Sequence, residues 1–314
     1  MPSDGKLPVA LVTGFLGSGK TTLIGGLLGH HAMGETAVIV NELGEIGIDH
    51  HLLRRVDERT VLLKSGCLCC TLRGDLAEEL RDLLGRRDRG EIPLFKRVVV
   101  ETTGLADPAP VVYTLLAEPV VKHHYELESV ITTVDAQHGL VRDESLRQVA
   151  AADTLVVTKT DLAPESGLAA RLAVLNPAAR IIEASFGAVS PDDVLTPSPH
   201  PRETGSGDAP AYGHGDVRAV TVVLDDALDW AAFGIWLTML LQARGSEIYR
   251  VKGLLDVGQD GPVLLNGVQH VVHPPVHLDA WPDDDRRSRL VFIGAGLDRE
   301  ALRRSLEAFS RAAP

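Results

Sequence analysis

Cysteine is almost absent, and the little there is sits in one place: three residues in 314, all within Cys67-Leu68-Cys69-Cys70. A disulfide framework would spread its cysteines along the chain, so that class is excluded. In a reducing compartment such clustering reads as metal binding or redox chemistry. Positive charge is also short. With 31 Lys and Arg against 43 Asp and Glu the formal net charge is −12, and no basic stripe forms, which argues against wrapping nucleic acid. Long apolar runs are missing too. The most apolar later stretch, 231–241, is too short to span a bilayer, and Met1-Pro2-Ser3-Asp4-Gly5-Lys6 has no basic segment leading into an apolar one. The expectation is a cytoplasmic protein with neither a membrane nor a nucleic-acid partner.

What is present suffices for two domains with real cores, since 45% of the 314 residues are hydrophobic. Apolar, β-branched runs fall at 7–13, 36–40, 60–63, 97–100, 129–134, 154–158 and 180–182, mostly separated by enough chain for a crossover helix. That alternation predicts an α/β fold with a mostly parallel sheet and helices on both faces, over residues 1–195. From 196 to 215 the composition turns to Pro, Ser, Gly, Asp and His, as in Pro197-Ser198-Pro199-His200-Pro201, which reads as a linker or long loop. Residues 216–314 read as a smaller α+β domain. Strands are expected at 217–224, 247–256, 263–272 and 289–293, an amphipathic helix at 229–243 and another helix at 298–311. Trp230, Trp236 and Trp281 all lie there, with core packing as the expected reason and a partner surface as the other.

Gly14-Phe15-Leu16-Gly17-Ser18-Gly19-Lys20-Thr21-Thr22 matches G-x-x-x-x-G-K-[ST] directly after the first strand pattern and before a helical one. This context makes it a phosphate-binding loop rather than a glycine-rich turn with an incidental lysine. The glycines let backbone N–H groups face the phosphates, Lys20 reaches the β- and γ-phosphates, and the Thr21 hydroxyl can ligate Mg²⁺. The chain should therefore bind a nucleoside triphosphate on a P-loop NTPase fold.

The run Val98-Val99-Val100 leads into Glu101-Thr102-Thr103-Gly104, placing a carboxylate and a glycine at a strand's C-terminal end. In such a sheet that edge faces Mg²⁺ and the γ-phosphate, where Glu101 can hold or orient a water and the Gly104 N–H can sense the phosphate. An ordinary strand-to-loop turn is the plainer alternative. Leu155-Val156-Val157 leads to Thr158-Lys159-Thr160-Asp161, similar to the guanine-reading N-K-x-D pattern. A carboxylate at Asp161 accepts from both N1–H and the 2-amino group of guanine, a donor pair adenine lacks, so GTP is favoured. Thr158 in place of Asn removes an amide that would brace the base and the phosphate loop.

Taken in order, the phosphate loop, Asn41-Glu42-Leu43-Gly44-Glu45-Ile46-Gly47-Ile48-Asp49, Gly66-Cys67-Leu68-Cys69-Cys70, Glu101-Thr102-Thr103-Gly104 and Thr158-Lys159-Thr160-Asp161 resemble the CobW-type family of P-loop GTPases, relatives of the urease and hydrogenase maturation GTPases. Arg250-Val251-Lys252-Gly253 and Arg289-Leu290-Val291-Phe292-Ile293-Gly294 extend the resemblance to the family's C-terminal domain, so it covers nearly the whole chain. It implies a metallochaperone in which GTP binding and hydrolysis control when a transition metal is held and when it passes to a metal-requiring client protein. Homo-oligomers are compatible with it. Many members carry a histidine-rich tract near the domain junction; this chain has only His200 and His214 there.

The chemistry of the cysteines supports that reading independently. Thiolates of Cys67, Cys69 and Cys70 can hold a tetrahedral Zn²⁺ or Co²⁺ and leave one position open for transfer. A redox thiol cluster, for which no strand–CxxC–helix pattern is present, and inert buried cysteines are the other readings. Segment 41–49 lies between the phosphate loop and the cysteines, a natural switch in which Glu42 or Glu45 can add an oxygen ligand. His270, His273 and His277 read as ordinary strand or loop histidines, because Pro274-Pro275 interrupts any regular ligand face. The competing function is a regulatory, metal-sensing GTP-binding protein with little intrinsic catalysis.

Overall fold

Seven buried, β-branched runs become seven parallel strands. The computed structural model describes residues 5–40, 61–64, 74–140, 142–163, 167–196 and 216–312. Within them the chain divides into two units, residues 1–169 with 180–197 and residues 170–179 with 198–314.

In the first unit the strands are β1 (Leu7–Gly14), β2 (Thr36–Val40), β3 (Val61–Lys64), β4 (Arg97–Glu101), β5 (Tyr125–Asp135), β6 (Thr154–Thr158) and β7 (Arg180–Ala184). They pair in the order β3-β2-β4-β1-β5-β6-β7, and every pairing is parallel. The order places β1 at the centre with the chain winding outward on both sides, so the C-terminal edge beside β1 is the switch point where α/β sheets bind ligands. β5 is longer than its apolar run, beginning at Tyr125, because residues 125–127 continue alongside Leu7, Pro8 and Val9 before a bulge at Val9/Ala10.

Helix α1 (Lys20–Leu28) lays Leu23, Ile24 and Leu27 on one face of the sheet, against Ala10, Val12, Val38, Val99, Ile131 and Val156. Each such fully buried aliphatic side chain contributes about 1.5–3 kcal/mol. The other face is covered in part by α2 (Gly74–Asp88), α3 (Ala109–Ala117), α4 (Pro119–His124) and α5 (Asp143–Ala151). Tyr125 Oη donates to the Leu80 carbonyl of α2 at 2.8 Å, and Thr132, next to Ile131 and so on the opposite face, donates to the Gln148 carbonyl of α5 at 2.8 Å. Helices α6 (Leu168–Leu175) and α7 (Pro191–Leu195) complete the sequence of elements before residue 196.

The second unit holds an antiparallel sheet of β8 (Val217–Leu224), β9 (Ile248–Leu255), β10 (Val263–Val268), β11 (Val271–Val272), β12 (Val276–His277) and β13 (Ser288–Ala295). Helices α8 (Trp230–Arg244) and α9 (Arg299–Ala312) contribute Phe233, Trp236, Leu237, Leu241, Leu302 and Leu306 to its core, against Val220, Val222, Val251, Leu290 and Phe292. Asp229 and Asp298 cap these helices by accepting from the amides of Ala232 and Ala301, both at 2.7 Å.

Three details depart from the sequence pattern. The single strand read over 263–272 is a hairpin: Val268 pairs with Val271, and Gln269 takes a left-handed φ of 51° at the turn. Helix α8 is not amphipathic, since Ile235 (58%) and Met239 (54%) stand exposed on the face away from the core. Of the tryptophans, Trp236 is buried, with its indole N–H donating to Ser305 Oγ at 3.0 Å, whereas Trp230 is 39% exposed and stacks on Phe233. The predicted linker, from residue 197 onward, lies outside the described residues. Among the described residues no helix is long and apolar enough to cross a membrane.

Candidate functional site

The C-terminal edge of the parallel sheet gathers the chemistry-bearing residues of the first unit. β1 ends at Gly14 and the chain turns through Gly14, Gly17 and Gly19, all at positive φ, into α1. The Ser18 amide closes the turn on the Phe15 carbonyl at 3.1 Å. No side chain caps the N-terminus of α1, so its first backbone N–H groups point into the loop as an anion-binding end. Lys20 is buried, and its ammonium donates to the carbonyls of Gly14 at 2.9 Å and Phe15 at 3.2 Å. Thr22 follows Thr21 in the first turn of the same helix.

Hydroxyls hold the loop in place. Ser18 Oγ and Thr133 Oγ1 on β5 are 2.6 Å apart, and Thr158 Oγ1 at the end of β6 donates to the Ser18 carbonyl at 2.7 Å. The second contact adds to the reading of Thr158. The amide is indeed absent, but the hydroxyl braces the phosphate loop directly, because a threonine at this register is short enough to meet the backbone.

On β4, Glu101 is 4% exposed and accepts from Thr21 Oγ1 at 3.0 Å. A hydroxyl and a carboxylate converging at the edge of a phosphate loop form a hard oxygen donor set that suits Mg²⁺. Thr102 Oγ1 donates to Thr13 Oγ1 at 2.8 Å, joining the ends of β4 and β1. Beyond them the backbone of Gly104 passes so close to the phosphate loop that a Cβ there would meet the Leu16 nitrogen at 2.5 Å. The side chain of Gln148 on α5 fixes this turn: Nε2 donates to the carbonyls of Gly104 at 3.1 Å and Ala106 at 3.0 Å. Gln148 belongs to no sequence motif, and its place among Arg147 and the other polar residues of α5 gives no hint of the clamp.

At the end of β6 the turn takes a left-handed conformation at Lys159, φ 56°, and Lys159 Nζ donates to Asp135 Oδ2 at 2.7 Å. His138 Nδ1 lies 2.9 Å from the same oxygen, and the Gln137 amide donates to Oδ1 at 2.8 Å. Burial pushes the Asp135 carboxyl up, but the hydrogen bonds from Lys159, His138 and Gln137, with the Lys159 charge, outweigh it and hold the group below its ordinary range. Asp161, one residue beyond Thr160, is exposed. Thr160 Oγ1 and Ser185 Oγ are 2.9 Å apart, which brings the 185–187 turn after β7 beside the Thr158-Lys159-Thr160-Asp161 motif. Sequence reading misses that turn because the apolar run ends at Ile182.

A cavity of about 210 Å³ borders the loop, lined by Phe15, Ser18, Asp135, His138, Gln148 and Lys159 among others. Gly17 and Ser18 of the phosphate loop and Lys159 of the turn after β6 all line it, so it adjoins the loop directly.

Glu42, Glu45 and the cysteines Cys67, Cys69 and Cys70 lie outside the described residues. The strands leading to them do not: Val40, last in β2, is in register with Glu101 on one side and with Lys64, last in β3, on the other. Among the described residues no three His, Cys, Asp or Glu side chains come together as a metal-binding group. His270 Nδ1 is 2.8 Å from the Leu241 carbonyl, and His277 pairs with Val263 in the second sheet.

The family description "CobW/HypB/UreG, nucleotide-binding domain" matches residues 8–183, and "Cobalamin synthesis protein cobW C-terminal domain" matches residues 217–310. The zinc chaperone YjiA of Escherichia coli (strain K12) is 33% identical over 312 residues, covering 95% of this chain and 96% of its own. The zinc chaperone CobW of Pseudomonas aeruginosa is 32% identical over 353 residues, with 98% of this chain and 92% of that protein covered. The crystal structure of the Zn(II)-bound YjiA GTPase from E. coli is similar at a TM-score of 0.74 and 28% sequence identity, covering 97% of this chain and 99% of that one. With both domains matched, and with a relative aligned over nearly its whole length, the chain belongs to the CobW family of P-loop GTPases.

Proposed function

We propose that the chain is a metallochaperone that carries Zn²⁺, hydrolyses GTP to govern when the metal is held, and passes it to a metal-requiring client protein in the cytoplasm. The relatives named zinc chaperones support zinc over Co²⁺, the other ion that suits three closely spaced sulfurs. The observation that carries the reading is the level at which three strands end. Glu101 stands in register with Val40, and Val40 with Lys64. Glu42 is two residues beyond Val40 and Cys67 three beyond Lys64, so at about 3.3–3.6 Å per residue both begin within a short reach of the nucleotide edge.

In this reading GTP is the substrate. Lys20 exchanges the Gly14 and Phe15 carbonyls for the β- and γ-phosphates, and the N–H groups of Gly17, Ser18, Gly19 and the first turn of α1, including Thr22, surround them. Thr21 and Glu101 would hold Mg²⁺, which when bound neutralises charge on the phosphates. Glu101 orients the attacking water, and the Gly104 N–H responds to the γ-phosphate. Asp161 accepts from guanine N1–H and the 2-amino group; Lys159, steadied by Asp135, and Thr158, braced on Ser18, support the base and the loop. Thiolates of Cys67, Cys69 and Cys70 hold the cargo, with Glu42 adding an oxygen in one nucleotide state.

Competition titration of Zn²⁺ against a chromophoric chelator, with a non-hydrolysable GTP analogue and with GDP, tests the coupling. The expected result is a 5–150-fold difference in zinc affinity, corresponding to about 1–3 kcal/mol of coupling, and by reciprocity the same factor in the GTP-over-GDP preference when zinc is present. Equal zinc affinity in the two states would refute gating. Undiminished affinity after Cys67, Cys69 and Cys70 are all replaced by Ser would remove the cysteines as ligands.

A further inference from the structure

Among the described residues, the most exposed aromatic side chain of the nucleotide-binding unit lies beside the proposed nucleotide path. Phe186 is 83% exposed and takes a left-handed φ of 53°, a conformation that a bulky residue adopts only when its neighbours impose it. Both neighbours are anchored. Ser185 Oγ is 2.9 Å from Thr160 Oγ1, the residue directly before Asp161. Gly187, at φ 73°, packs its backbone on the first turn of α1, where a Cβ would meet the Thr22 carbonyl at 2.5 Å. Gly26, one helical turn further along α1, closes the contact, since a Cβ at Gly26 would collide with the Gly187 carbonyl. The turn is thus pinned at one end to the base-reading motif and at the other to the helix that receives the phosphates.

A guanosine nucleotide reaching from the N-terminus of α1 to Asp161 runs between these two anchors, and Phe186 is the residue that joins them. Core packing does not account for a ring this exposed, and the strained backbone holds it at a fixed place. We propose that Phe186 is the stacking platform for the purine base, supplying affinity that does not depend on which purine is bound, while Asp161 supplies the discrimination. This inference rests on the nucleotide-binding reading above. Aromatic faces stack on every base with comparable strength, so the two contributions separate cleanly.

Isothermal titration of Phe186→Ala, Phe186→Leu and Phe186→Trp with GDP and with inosine diphosphate, which lacks the 2-amino group, tests it. The expected result for Phe186→Ala is a loss of about tenfold, within the roughly 5–150-fold that one base–aromatic stack carries, equal for the two nucleotides. Phe186→Trp retains affinity and Phe186→Leu falls between. The H8 resonance of bound GDP moves downfield when the ring current is removed in Phe186→Ala, and the thermal midpoint of the ligand-free protein stays unchanged. Wild-type affinity in Phe186→Ala, a loss confined to GDP, or a loss that tracks a lowered thermal midpoint would each overturn the proposal. Failure of the wild-type protein to bind either nucleotide would instead overturn the nucleotide reading on which it rests.

Discussion

Thr158 donates its hydroxyl proton to the carbonyl of Ser18 over 2.7 Å, so the strand that ends in the Thr158-Lys159-Thr160-Asp161 motif is bonded to the middle of the phosphate loop. The same side chain stands 3.5 Å from where a Cβ on Gly19 would lie, which fixes the spacing between β6 and the start of α1. Removing the hydroxyl while keeping the shape isolates the bond. Thr158→Val leaves a buried carbonyl unsatisfied, at a cost of about 1–3 kcal/mol. Calorimetry is expected to show GDP affinity reduced by roughly 5–150-fold and the thermal midpoint lowered; an unchanged protein on both counts would mean that the bond braces nothing.

Guanine selectivity is expected to reside in Asp161. Its carboxylate is exposed at the end of the turn and offers two acceptors. Asp161→Asn exchanges an acceptor for a donor, so GTP affinity falls and xanthosine triphosphate, which presents an oxygen where guanine presents an amine, gains. Measured affinities for the two nucleotides check this, and an unaltered GTP-to-XTP ratio would reassign the base reader.

Lys20→Ala and Thr21→Ala are both expected to abolish steady-state GTP hydrolysis, for separate reasons. The first removes the ammonium now held on the Gly14 and Phe15 carbonyls; the second removes the hydroxyl 3.0 Å from Glu101 Oε1. Titration with Mg²⁺ distinguishes them, because Thr21→Ala raises the Mg²⁺ concentration needed for tight GTP binding whereas Lys20→Ala weakens GTP at every concentration. Wild-type turnover in both variants would take the loop out of the reaction.

Asp135 makes a signed prediction for acid stability. Its folded-state carboxyl lies below the ordinary value of 3.8, so it contributes stability that is present above pH 4 and lost as the pH falls through the lower folded value. Asp135→Asn is expected to flatten the stability profile below pH 4, and at neutral pH to loosen Lys159, whose ammonium loses its carboxylate partner at 2.7 Å. Chemical denaturation of both proteins between pH 2.5 and pH 7, values chosen to bracket the ordinary carboxylate range, reads the difference. Parallel profiles would show that the network is not linked to folding.

The parallel sheet is legible in the sequence because strands buried on both faces must be apolar throughout, as Val9, Leu11, Val38, Val98, Val100 and Leu155 are. The phosphate loop is legible because its glycines and lysine follow from the shape of a phosphate. The rest is hidden by how side chains meet across the fold. Gln148 serves residues 104 and 106 from a helix that follows them by some forty positions, and nothing local marks a glutamine as a clamp. Thr158 looks like the loss of an amide until the distance to Ser18 is known. The hairpin at 268–271 turns through Gln269, which carries no sequence signature for positive φ, and the exposed Ile235 and Met239 defeat any assignment of faces from periodicity alone.

Apart from the Lys20 ammonium on the Gly14 and Phe15 carbonyls, the contacts that hold the phosphate loop to its neighbours are hydroxyl and amide bonds: Ser18 to Thr133, Thr158 to the Ser18 carbonyl, Thr102 to Thr13, and Gln148 to the Gly104 turn. Ionic strength acts on charges over a Debye length of about 8 Å at physiological salt and leaves neutral bonds almost untouched. A rise in salt therefore weakens the attraction between the loop and a triphosphate without deforming the loop itself. The salt dependence of nucleotide affinity therefore reports the charges that the loop and the ligand present to each other, and not a change in the loop's shape.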